Sequence, residues 1–182
     1  MIKNRKIRLV LMCLLPIVAW LTSAGGCASY QYGNDALFPV GVTTVHVPIV
    51  QNDTYRHSLG PQLSEAIVKE IQDRTNYVVT GDPNADSTLR VRIVAESKRV
   101  LTEASTDDPR ALDAAVSVRA DWVSRNGQPL MQNSLIPMSD TAISFGQNIR
   151  FVPEAGQSVD TAMQQAIDQL AARIVSQMEM RW

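Results

Sequence analysis

Two stretches in which apolar and polar residues alternate constrain this chain more than anything else in it. In Ser87–Val100, Leu89, Val91, Ile93 and Ala95 alternate with Arg90, Arg92, Val94 and Glu96. In Ala114–Ser124, Val116, Val118, Ala120 and Trp122 alternate with Ser117, Arg119 and Asp121. A period of two places successive side chains on opposite faces, so each stretch reads as a strand with one dry face and one largely charged face. A sheet built on them needs cover on one side and leaves the other in water.

The cover comes from two helical stripes. Ser58–Arg74 carries Leu63, Ala66, Ile67 and Ile71 at three- and four-residue spacing, with Ser58 as expected cap and Pro61 in the first turn. Ser158 to about Met180 carries Met163, Ala166, Ile167, Leu170, Ile174 and Met178, with Ser158 as cap. A further strand is expected at Thr43–Val50, with Val45, Val47 and Ile49 sharing the inner face and Pro48 interrupting the ladder. A short strand follows at Tyr77–Thr80. Asn126-Gly127 is the strongest hairpin signal and points to a partner strand within Pro129–Ser144, while Phe145–Gln157 reads as a loop. The resulting order is β-α-(β)-β-β-β-α. Its expected fold is an α+β two-layer sandwich, two helices packed on one face of a mostly antiparallel four- to five-stranded sheet.

Ahead of this domain lies Leu9–Cys27, an apolar run preceded by Lys3, Arg5, Lys6 and Arg8 and ending in Ala24-Gly25-Gly26-Cys27. Basic start, short apolar centre and small-residue exit read as a secretory leader, and the terminal cysteine resembles a bacterial lipobox. The expected organisation is a lipoprotein signal peptide at 1–26, a lipidated tether at 27–41 and one α+β domain at 42–182. Tyr30, Tyr32 and Phe38 of the tether are candidates for docking on a partner. Acylation of Cys27 would anchor an otherwise soluble domain to the membrane. Ala28 rather than Asp after the cysteine favours the outer membrane, with the domain facing the periplasm. The leader holds four of the 17 Lys and Arg and none of the 18 Asp and Glu, so the remaining chain has a net charge of −5. No basic excess recommends nucleic acid. Cys13 leaves with the leader, so no disulfide is expected.

Signatures of catalysis are missing. His46 and His57 have no metal-like spacing to each other or to a cysteine, and Asp107 and Asp108 beside Pro109 read as turn formers. No Gly-x-Ser-x-Gly elbow and no phosphate-binding Gly-rich loop occurs. The expectation is therefore a non-enzyme with no metal and no cofactor beyond the acyl groups on Cys27. An anchored hydrolase remains the remotest reading and would need a deep polar cleft around His57 and Asp53. What survives is a basic stripe on the wet sheet face: Arg90, Arg92, Lys98 and Arg119 are candidate contacts for anionic groups, set against the plainer reading of a solvated face with Glu96 and Asp121 interspersed.

The lipobox, the short aromatic tether, Val47-Pro48 with Asn52 and Thr54, a helix, and Ala85-Asp86 with Leu89 and Ile93 opening a long strand together resemble the LptE family of lipopolysaccharide-assembly lipoproteins. Val50 stands where the family commonly has Phe, and Ala28-Ser29-Tyr30 where it has Gly-Tyr, so the chain is similar to a distant member. The resemblance implies a non-enzymatic plug and assembly partner of the LptD β-barrel, working in lipopolysaccharide transport to the cell surface. The alternative is a periplasmic envelope adaptor lipoprotein that scaffolds another secretion, efflux or Tol-like complex.

Overall fold

The computed structural model describes residues 38–39, 41–103, 109–131 and 142–179. The leader 1–26, Cys27, Tyr30 and Tyr32 of the tether, and Asp107 and Asp108, lie outside the described residues. The elements are β1 (Thr44–His46), β2 (Gln51–Asn52), α1 (Leu59–Arg74), β3 (Val78–Thr80), β4 (Ser87–Glu103), β5 (Pro109–Ser124), β6 (Ile143–Phe151), a 3-10 turn (Pro153–Ala155) and α2 (Val159–Gln177). Six strands form one sheet in the order β3-β1-β4-β5-β6, with β2 also pairing β4.

The α+β sandwich stands, with a sheet that is mixed and slightly larger than expected. The β4-β5-β6 half is antiparallel, whereas β1 runs parallel to β3 and β4, and β2 runs parallel to β4. Parallel neighbours need a crossover, and α1 supplies it between β1 and β3. Leu63, Ile67 and Ile71 of α1 and Met163, Ile167, Leu170 and Ile174 of α2 are buried with Leu89, Ile93, Val118 and Trp122 of the sheet. Each such side chain contributes roughly 1.5–3 kcal/mol on leaving water. Ser158 caps α2 by accepting from the Thr161 amide, but the Ser58 side chain makes no cap bond. Arg74 fastens the helices together, donating to the Ala172 carbonyl (3.1 Å), to Ser176 Oγ (2.9 Å) and to Glu179 (2.8 Å).

Two expectations fail, each for a local reason, and a third falls largely outside the described residues. The first strand is not continuous: it breaks at Val47–Val50, between β1 and β2. His46 stands opposite Thr88 and Gln51 opposite Arg92, so this side of the ladder carries one residue more than its partner. One extra residue exchanges the two faces. Val50 is therefore buried, and Ile49, expected inside, is 77% exposed. The second failure concerns Phe145–Gln157, whose first half is strand β6 rather than loop. Its inner positions are Phe145, Gln147, Ile149 and Phe151, and the polar exception is satisfied: Gln147 bonds Gln169 (2.6 Å) and Arg173 (3.2 Å) of α2. The third is the Asn126-Gly127 turn. It forms, with Gly127 at φ +79°, and is followed by a bridge between Val123 and Pro129 and by the Leu130 amide on the Trp122 carbonyl, while residues 132–141 of the expected partner strand lie outside the described residues. Pro129 has no amide to extend a ladder; the strand that pairs with β5 begins at Ile143.

Phe38, assigned by sequence to the tether, belongs to the core. It is buried and meets Tyr77 edge-on at 5.6 Å, and Tyr77 in turn lies 5.9 Å from Trp122. Burial pushes the Tyr77 phenol up to about 12, and its hydroxyl donates to the Pro39 carbonyl at 3.5 Å.

At the same end of the sheet, Asp86 clamps β1 to β4. Its Oδ2 accepts from the hydroxyls of Thr43 (2.7 Å) and Thr44 (2.9 Å) and from both of their amides, and Arg125 approaches Oδ1 at 3.2 Å. The threonine hydroxyls, then the amides, hold the carboxyl well below its ordinary value of 3.8. A depressed folded value means that the stabilisation is fully present above the ordinary value and is lost as pH falls through the depressed one. The urea midpoints of the wild type and Asp86→Asn should therefore differ most near neutral pH and converge below about pH 4. A difference that stays constant down to about pH 2 would dismiss the clamp as a charge effect.

Candidate functional site

Both helices cover one face of the sheet, and the opposite face holds the basic cluster. Antiparallel pairing sets Arg90 directly across from Asp121, and Arg92 directly across from Arg119. Residues opposite one another project on the same side of a sheet. Arg90 pairs with Asp121 at 3.0 Å. Arg92 turns toward β2, donating to Gln51 Oε1 at 3.0 and 2.6 Å and lying 3.4 Å from Asp53. Arg119 makes no side-chain hydrogen bond or ion pair among the described residues. These contacts are half exposed, and each ion pair contributes no more than about 1 kcal/mol. Their role is orientation: they fix two guanidinium groups and leave the third open.

Between them lies a cavity of about 630 Å³, with Arg90, Arg92, Arg119 and Asp121 in its floor and Pro48, Ile49 and Gln51 along one wall. Like charges placed directly opposite across a ladder are unfavourable unless something anionic intervenes. Arg92 and Arg119 form such a pair. Arginine forks match carboxylate and phosphate oxygens in geometry as well as charge.

Lys98 does not join this cluster. Ile93 faces Val118 and Ala95 faces Ser117, so Val94 is an unpaired bulge residue in β4. Beyond it the alternation inverts. Glu96 and Lys98 stand beside the inward Val116 and Ala114, while Ala95 and Arg99 come to the free face. Glu96 thereby faces the helical layer and is held by Arg56 at 3.2 Å. The only sequence trace of the inversion is Val94 itself, an apolar residue in an otherwise wet register. Arg99, which the strict alternation assigns to the inner face, is the basic residue that the bulge adds.

The remaining candidates separate. His46 donates through Nδ1 to the Thr80 carbonyl at 3.1 Å, His57 is exposed, and Asp53 is paired with Arg92. Among the described residues no three His, Cys, Asp or Glu are grouped to hold a metal, and no helix is long and apolar enough to cross a membrane.

A lipopolysaccharide-assembly family model, LptE, matches residues 42–181, which is the whole of the sandwich. The chain belongs to the LptE family. No curated protein matches it. Among solved structures it is similar to a PelC dodecamer from Paraburkholderia phytofirmans, with 14% identity, a TM-score of 0.48 and coverage of 84% of this chain and 97% of that one. It is also similar to an uncharacterized lipoprotein B from Nitrosomonas europaea (13%, TM-score 0.48, 80% and 90%) and to the rare lipoprotein B from Shewanella oneidensis (12%, TM-score 0.40, 73% and 92%). In this LptE family member the residues Asn52, Thr54 and Asp86 have structural tasks. Asn52 and Thr54 tie the loop after β2, and Asp86 clamps β1 to β4.

Proposed function

We propose that this chain is a non-enzymatic outer-membrane lipoprotein, acylated at Cys27 after removal of residues 1–26, held by a tether at 27–41 and carrying one domain at 42–182. That domain faces the periplasm, acts as plug and assembly partner of an LptD-type β-barrel, and serves lipopolysaccharide transport to the cell surface. The observation that carries this reading is the family match across the entire sandwich. The free sheet face supports it, because a domain with one uncovered face suits a stable protein neighbour. A gentle detergent pull-down through a C-terminal tag should recover one stoichiometric large barrel protein, identified by mass. Recovery of periplasmic or inner-membrane proteins in its place would favour the adaptor that scaffolds another envelope complex.

Direct contact between the arginine cavity and lipopolysaccharide phosphates belongs to the same proposal. Arg92→Glu combined with Arg119→Glu should weaken lipopolysaccharide binding by roughly tenfold or more. The thermal midpoint should hardly move, because both side chains are exposed and exposed pairs contribute little. Unchanged binding by the double variant would remove these arginines from any lipopolysaccharide site.

A further inference from the structure

The loop that follows β2 presents a tyrosine in a way that the core does not require. Tyr55 is fully exposed, yet the chain on either side of it is fixed. The Asn52 amide donates to the Arg56 carbonyl at 2.8 Å and accepts from the amide and hydroxyl of Thr54 at 3.0 and 2.8 Å. The Asp53 amide donates to the Ile93 carbonyl at 3.0 Å, tying the loop to β4. From the far side Arg56 reaches both Glu96 (3.2 Å) and Asp160 at the start of α2 (2.9 Å). A loop this constrained loses little conformational entropy when something docks on it, which is the usual hidden cost of binding.

The loop that carries Tyr55 adjoins the arginine cavity. Asp53, two residues before Tyr55, pairs with Arg92 of the cavity, whose wall includes the 77% exposed Ile49. Val94, the exposed bulge residue, adjoins the carbonyl that holds the loop. One aromatic and two aliphatic side chains beside arginines is the composition of an interface centre, where Tyr and Arg dominate the energetics. The charges discriminate between occupants. An anionic lipid surface attracts cations and repels carboxylates, whereas Asp53 and Asp121 stand among these arginines in fixed geometry. A folded protein can oppose both signs in register.

We infer that the patch formed by Ile49, Tyr55 and Val94 beside Arg92 and Arg119 is the surface on which the domain docks against its protein partner. Tyr55 is the anchor in an apolar pocket of that partner, and the arginine cavity lies at the edge of the contact. This rests on the barrel-partner reading and adds to it which face of the domain is turned toward the barrel.

Two measurements test it on the full, acylated chain. A photo-reactive phenylalanine analogue at position 55 should crosslink to the barrel, whereas the same probe at Gln165, on the exposed side of α2, should not. In quantitative co-purification Tyr55→Ala should lower barrel recovery by roughly thirtyfold, the fold-change of a hot-spot residue, while Tyr55→Phe retains most of it. The thermal midpoint of both variants should match the wild type, since the side chain touches nothing in the fold. An adduct at 165 with none at 55, an adduct only to lipid, or full recovery with Tyr55→Ala would each overturn the inference while leaving the barrel partnership intact. Failure of the wild-type chain to bring down any barrel would overturn the partnership, and this inference with it.

Discussion

Trp122→Ala is expected to lower folding stability by about 3 kcal/mol, toward the lower end of the 3–5 kcal/mol range for large aromatic truncations. Trp122 is the largest of the fully buried side chains, 1% exposed, and Tyr77 leans on it. Its carbonyl also receives the amides of Leu130 (2.8 Å) and Met131 (3.4 Å), which hold the segment after the Gly127 turn against β5. One opposing effect trims the loss. The indole Nε1 is buried with no hydrogen-bond partner among the described residues, so alanine also removes a donor that folding strips of water without compensation. Such an orphan costs about 1–3 kcal/mol. Trp122→Phe keeps most of the apolar area and discards the orphan, so it should cost far less than alanine. Urea unfolding at constant slope checks both variants; a loss below about 1 kcal/mol for alanine would contradict the packing argument.

Gly60→Val should destabilise by roughly 2–3 kcal/mol, and the reason is proximity rather than backbone freedom. A Cβ at position 60 would stand 2.9 Å from the Val50 carbonyl oxygen. Both sides of that contact are main chain, so no flexible side chain can yield. Ser64 locks the same junction, accepting from the Val50 amide and donating to the Gly60 carbonyl, both at 2.9 Å. Helix propensity acts in the other direction, favouring Ala over Gly by roughly 0.8–1 kcal/mol. Steric displacement of about 1–3 kcal/mol exceeds that gain. Gly60→Ala should therefore also destabilise, by less than Gly60→Val. Equal or higher stability of Gly60→Ala in thermal unfolding would mean that α1 can slide away from Val50.

Much of the fold was legible because burial follows period. The stripes of α1 and α2 and the inward residues of β4 up to Ile93 and of β5 from Val116 to Trp122 read directly from spacing. What the spacing hid were single-residue insertions. Val94 in β4 and the Val47–Val50 break each add one residue on one side of a ladder, and nothing in composition marks a bulge in a β-rich stretch. Lys98 was misplaced for that reason, and Ile49 with it. β6 was hidden differently: Gly146-Gln147-Asn148 has loop composition, and only the partners on α2 make an inward glutamine acceptable. Of the site, Arg90, Arg92 and Arg119 were legible as a wet register. The Tyr55 loop was not, because its order arises from Asn52, Glu96 and Asp160, which are remote from one another in the sequence.

β1 lies between β3 and β4, both of which follow it in the chain. A polypeptide delivered from its amino end can pair β1 with β3 through α1, but the other edge of Thr44–His46 stays open until Ser87 and Thr88 have arrived. The neighbouring β4-β5 ladder closes over a short loop and carries the lowest entropic cost of the long pairings, whereas the parallel contacts of β1 close the longest loops. The amino-terminal strand is thus the shared neighbour of two strands made after it, and its seating couples entry of Phe38 into the core to completion of the sheet.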